Sequence, residues 1–129
     1  GKVRLVGIKA LKGGALVGTA SLAAISGVPR GEHYAATKGG LISLMRGLAV
    51  EFARYGIRAN AILPGWIETA MTEKALNWDK FRDKVLPRVP VRRWGKPEDF
   101  GAIAVYLVSD ASSYHTGDTF LIDGGYSLF

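Results

Sequence analysis

ALVGTASLAAISGVPRGEHYAATKGGLISLMRGLAVEFARYGIRANAILPG, residues 15–65, carries the pattern that decides the fold. It opens on a nearly continuous apolar run, Ala15 to Ala20, which suits a strand covered on both faces. Ser26 to His33 is rich in glycine and proline and reads as a loop. Leu41, Met45, Leu48 and Phe52 then recur at helical spacing, which predicts a long helix from about Gly31 to Tyr55. Ile42, Ala49 and Ala53 make a second, smaller apolar face that would suit a partner helix. Gly39-Gly40 is unfavourable there by about 1 kcal/mol per glycine relative to alanine, which close packing against a cofactor or backbone would rationalise. Gly56 closes the helix, Ile57 to Leu63 follows as a strand, and Pro64-Gly65 stops it.

Outward from this unit the pattern repeats with a longer link. A short helix is predicted over about Thr69 to Val85, inside a connection that runs to about Lys96. Connections of this length in a compact domain are commonly functional, so a lid is expected at about residues 66–95. Its Trp66, Leu76, Trp78, Phe81 and Val85 either pack the lid itself or meet a partly apolar substrate. Lys96-Pro97-Glu98-Asp99 opens another helix, with proline in the first turn and acids at its positive end. That helix should reach about Ser109 and face Phe100, Ile103, Ala104, Leu107 and Val108 inward. Thr119 to Ile122 forms the last strand. Upstream, Gly1 to Lys12 reads as part of a helix that ends at Gly13-Gly14. Successive strand–helix–strand crossovers require an α/β fold with a parallel sheet, here of about three strands with flanking helices.

Composition narrows the function classes. The 129 residues fit one domain, and 48% are hydrophobic, enough for a core. Absence of cysteine excludes disulfides and thiolate metal sites, no metal site is expected, and a cytoplasmic location fits. No apolar run approaches the roughly 18 residues of a membrane span, and no signal-peptide pattern opens the sequence, so no membrane partner is expected. The net charge is +6. Its basic residues are scattered apart from Arg88, Arg92 and Arg93, which reads as a solvated surface and not as a nucleic-acid patch.

Within the deciding stretch, Tyr34 and Lys38 stand four apart, which stacks them on one helix face. The spacing alone also fits a packed tyrosine and a solvated lysine. Three further facts weigh against that reading. Stepping back along the apolar stripe leads to Lys38 and Tyr34, so both continue the inward face. In parallel sheets ligands bind beyond the carboxyl ends of the strands. Ser21 follows the first strand, Pro64-Gly65 ends the second, and Tyr34 begins the helix, so all three meet at one rim. There an ammonium favours the phenolate of a neighbouring phenol, and a serine hydroxyl can hold a substrate oxygen against it.

With TAS at Thr19–Ser21, YAATK at Tyr34–Lys38, GIRANAILPGWIETAMT at Gly56–Thr72 and FLIDGG at Phe120–Gly125, the chain resembles the C-terminal half of a short-chain dehydrogenase/reductase. The resemblance implies a Rossmann-like, doubly wound fold, with residues 1–129 as the C-terminal part of one NAD(P)-binding domain. It implies Ser21, Tyr34 and Lys38 as catalytic residues. Tyr34 would be the general acid or base, Lys38 would also hold the nicotinamide ribose, and Ser21 would bind the substrate oxygen. It implies Tyr34, Lys38, Pro64, Gly65, Ile67 and Thr69 as contacts to NAD or NADP. The substrate would be a small-molecule carbonyl or alcohol, and the protein a homo-oligomer, a dimer or tetramer.

The sequence departs from the family pattern in what it lacks. A whole member is about twice this length and carries a glycine-rich pyrophosphate turn in its N-terminal half. No such turn occurs here, and neither the residue that selects NAD or NADP nor the family's catalytic asparagine has a match. Gly18 stands where asparagine is frequent, and Thr37 where serine is usual. The alternative function is therefore a truncated, catalytically incomplete piece that serves oligomerisation or structure, with Ile42, Ala49, Ala53 and Tyr126–Phe129 as its contact surface. The bare edge of the first strand is expected to pair with a missing segment or with another copy.

Overall fold

The computed structural model describes residues 13–129. The helix read over Gly1 to Lys12 lies outside the described residues. Three parallel strands form one sheet in the order β1 (Gly14–Thr19), β2 (Ile57–Pro64), β3 (Thr119–Ile122). Helix α1 (Glu32–Phe52) connects β1 to β2. Between β2 and β3 lie α2 (Glu73–Leu76), α3 (Asp79–Val85) and α4 (Gly101–Val108). The expected α/β architecture is present, with the strand and long-helix boundaries within a few residues of those read from the sequence.

The two faces of β2 explain the layering. Side chains alternate along a strand. Ala59, Ala61 and Leu63 point to one face and form a core with Ile42, Met45 and Ala49 of α1. Alanine on this face lets the helix sit close to the sheet. Gly18 on β1 does the same, since a Cβ there would lie 3.0 Å from Met45 Cγ. The helix stripe is accordingly rotated from the one expected. Ile42, Met45, Ala49 and Phe52 are buried, whereas Leu41 and Leu48 are half-buried and Ala53 is exposed. Ile42 and Ala49 are thus used inside the fold and are not open to a partner. The large aliphatic side chains that α1 leaves outside are Leu44 and Val50. Gly39 meets only ordinary contact, 3.8 Å to Ala24 O, and Gly40 meets nothing. No close approach of protein backbone is made at that pair among the described residues.

On the other face, Arg58 and Asn60 of β2 serve as polar fasteners. Arg58 Nη1 donates to Leu107 O at 3.1 Å and to Ser112 Oγ at 2.6 Å, and its Nη2 donates to Ser109 O at 3.0 Å. It thereby satisfies carbonyls left open at the end of α4. Buried Asn60 donates to His115 O at 2.9 Å and accepts from Asp118 N at 3.0 Å. His115 Nε2 lies 2.8 Å from Asp118 Oδ2; that hydrogen bond, then the Thr119 N–H, holds the Asp118 carboxyl below its usual range. Helix α4 lies against β1 and buries Leu107 completely. Ala104 and Val108, expected inward, are exposed: the regular helix starts only at Gly101, after a tighter turn over Pro97–Phe100, and buries a narrow stripe.

The single helix expected over Thr69 to Val85 is two helices. Asn77 stops the first, and Trp78 adopts an extended conformation with ψ 119° before Asp79 opens the second. Asparagine and aspartate favour helix ends over interiors, and the Asn77 side chain bonds Glu68 Oε2 at 3.1 Å. Leu76, Val89 and Trp94 are the buried centre of this region, with Trp66, Phe81, Val85, Leu86 and Tyr126 packed around them. Trp78 stays outside, 60% exposed.

Candidate active site

Because the sheet is parallel and in register, the carboxyl ends of all three strands share one rim. Ser21 lies just beyond β1, Gly65 just beyond β2, and Asp123 just beyond β3. Gly65 N donates to Ile122 O at 3.0 Å. A Cβ on Gly65 would fall 2.6 Å from Asp123 Cβ and 2.7 Å from its Cα, so only glycine fits this crossing of chains. Asp123 then fixes the tail, accepting from Gly125 N and Ser127 N at 2.9 Å each.

Ser21 adopts an extended conformation and caps the short turn Leu22–Ala24, its Oγ accepting from Ala23 N at 3.1 Å. A hydroxyl used once as acceptor keeps its own proton to donate. Tyr34, in the first turn of α1, is 47% exposed. Lys38 sits one helical turn on, with Nζ donating to Thr19 O at 2.9 Å and lying 5.7 Å from the Tyr34 ring centroid. The end of β1 thus anchors the ammonium beside the phenol.

A cavity of about 900 Å³ opens here. Ser21, Tyr34, Gly65, Ile67 and Thr69 are on its wall. Lys38 and Pro64 are not: the first stands behind Tyr34, and the second is the last residue of β2, paired with Ile122. Ile67 bridges to Gly95, where a Cβ would collide with Ile67 Cδ1 at 2.4 Å. Thr69 N donates to Thr72 Oγ1 at 2.8 Å, and Thr72 Oγ1 donates to Ile67 O at 2.7 Å, which sets the turn carrying both threonines.

Sequence reasoning found part of the remaining lining and missed the rest. Of the aromatic and aliphatic residues read into the lid, Trp66, Leu76 and Phe81 line the cavity, whereas Val85 packs beneath and Trp78 faces outward. Trp66 meets Phe81 and Tyr126 edge-on, with centroids 5.2 Å and 5.9 Å away. The tail, read as a contact surface for partners, contributes Tyr126, Ser127 and Phe129 to the cavity, and Arg88 completes it. Arg88 and Tyr126 are 38 positions apart. No local periodicity signals a contact over that separation.

Among the described residues no helix is long and apolar enough to cross a membrane. A family model described as "Enoyl-(Acyl carrier protein) reductase" matches residues 4–127. The chain is 42% identical over 118 residues to L-rhamnose-1-dehydrogenase of Scheffersomyces stipitis, covering 92% of this chain and 46% of that protein. It is 44% identical over 114 residues to the 3-oxoacyl-[acyl-carrier-protein] reductase FabG of Thermotoga maritima, covering 88% and 46%. A gluconate 5-dehydrogenase from Burkholderia cenocepacia, solved in complex with NADP and tartrate, superimposes with TM-score 0.90 at 32% identity, covering 96% of this chain and 49% of that one. The chain spans about half the length of the curated relatives it matches. Strand order, motif order and these likenesses agree: the chain belongs to the short-chain dehydrogenase/reductase family.

Proposed function

We propose that this chain supplies the catalytic half of an NAD(P)-dependent oxidoreductase that interconverts a ketone and a secondary alcohol. The observation that carries the reading is that the Ser21 hydroxyl and the Tyr34 phenol open onto one cavity, with the Lys38 ammonium held behind Tyr34. The residues present fit a nicotinamide cofactor. Gly65 offers bare backbone at the rim, and the Ile67–Thr69 turn lines the same wall. Related enzymes solved with NADP bound support that fit.

When bound, the cofactor supplies or accepts the hydride. In the reductive direction, Ser21 donates a hydrogen bond to the carbonyl oxygen and stabilises the charge growing on it. Tyr34 delivers the proton to that oxygen. Lys38 stabilises the phenolate left behind. In the oxidative direction Tyr34 takes the alcohol proton. Gly65, Ile67 and Thr69 would hold the nicotinamide end, with Pro64 setting the strand end before them, and residues 66–95 act as the lid that excludes water.

Catalysis is complete only when a cofactor-binding half accompanies these residues. NAD(P)H turnover should therefore be absent with residues 1–129 alone and present when they are joined to such a half. Equal turnover from both would contradict this division of labour. A second reading, an oligomerisation or structural piece, draws on the exposed Leu44 and Val50 of α1. It predicts self-association with no turnover in either form.

A further inference from the structure

We propose that Arg88 selects the substrate of this cavity, and that the substrate carries a carboxylate besides its ketone or secondary alcohol. The inference rests on the oxidoreductase reading above and names the substrate class for it. Among the side chains of the described residues that line the cavity, Arg88 alone carries a charge. The rest of the lining is mostly apolar and includes Leu76, Trp66 and Phe81, while Arg88 itself is exposed. No carboxylate side chain among the described residues lies within ion-pair distance of it.

The guanidinium is nevertheless held in place. It lies 4.5 Å from the Tyr126 ring centroid, donates to Tyr126 Oη at 2.9 Å, and donates to the Phe129 backbone oxygen at 2.9 Å. Two hydrogen bonds leave further N–H groups of the planar fork for a ligand. A stacked, hydrogen-bonded arginine loses little freedom when it binds, and its fork matches a carboxylate. Ser21 and Tyr34 line the same cavity, and the proposed substrate presents its carbonyl to their hydroxyls and its acid to Arg88.

The test compares 2-oxo-4-phenylbutanoate with its primary amide, a neutral compound of nearly the same shape, in the enzyme that carries both halves. The acid should have the higher kcat/KM. Arg88→Gln should lower the acid-to-amide ratio of kcat/KM by roughly 10- to 100-fold, through KM, and Arg88→Lys should restore part of it. If Arg88 only clamps the tail, Arg88→Gln lowers both substrates alike and the ratio stays fixed, which overturns the proposal. Calorimetric binding of the acid to Tyr34→Phe enzyme separates this from the catalytic reading. Binding lost on adding Arg88→Gln supports the carboxylate site whatever the fate of turnover, and binding unchanged refutes it. Phenyl phosphate competing more tightly than the acid would contradict the carboxylate and assign a phosphate in its place.

Discussion

Two regions of this molecule are held together in different ways. The β1–α1–β2 unit is held by a helix laid on a small-residue sheet face: Gly18, Ala59 and Ala61 beneath Ile42, Met45 and Ala49. Residues 66–95 and the tail are held by aromatic edges and a few side-chain bonds between distant positions, such as Arg88 with Tyr126. The first region gives Ser21, Tyr34 and Lys38 fixed positions. The second supplies much of the cavity lining beside them. Under the proposed function the first region would carry the proton transfer and the second would select the substrate.

The contrast can be broken by mutation. Phe52 is 2% exposed at the base of α1. Phe52→Ala should cost about 3–5 kcal/mol of global stability by urea unfolding; a loss no larger than that of Phe81→Ala would erase the distinction between the regions. Gly65→Val should cost less, about 1–3 kcal/mol, because the new side chain must displace the Asp123 backbone. An unchanged midpoint would mean the crossing of chains there is not tight. The smallest effect is expected in the wall region. Arg93 grips Asp99 with two hydrogen bonds of 2.7 and 2.8 Å, and these, with the Lys96 N–H, hold the Asp99 carboxyl well below its usual range. A carboxyl depressed on folding stabilises the fold above its unfolded value, near 4, and the contribution fades as pH falls through the folded value. Asp99→Asn should therefore lower stability slightly at neutral pH and flatten part of the acid limb between about pH 5 and 2, variant and parent converging as pH falls; an unaltered acid limb would show the pair to be fully screened by solvent.

The same contrast explains what the sequence reveals. The first region rests on local periodicity: alternation in β2, the helical recurrence ending at Phe52, and turn residues such as Gly56, whose φ is 71°. Motif order at Ser21, Tyr34 and Lys38 was legible for the same reason, since those residues ride on elements whose boundaries are readable. The rotated stripe on α1 was not legible, because Leu41 and Ile42 are equally apolar and only the alanine face of β2 decides between them. The division of the 69–85 segment hinges on one residue, Asn77, in an otherwise helix-compatible run. The cavity's far wall depends on contacts between Arg88, Trp66 and Tyr126, for which no spacing rule exists.

The oxidoreductase reading depends most directly on the Tyr34 phenol as proton carrier. The deciding measurement is NAD(P)H turnover and cofactor binding by Tyr34→Phe enzyme that carries both halves. The account predicts turnover reduced by about 10²–10⁴-fold with cofactor affinity nearly intact. Turnover within a few-fold of the parent enzyme would contradict it.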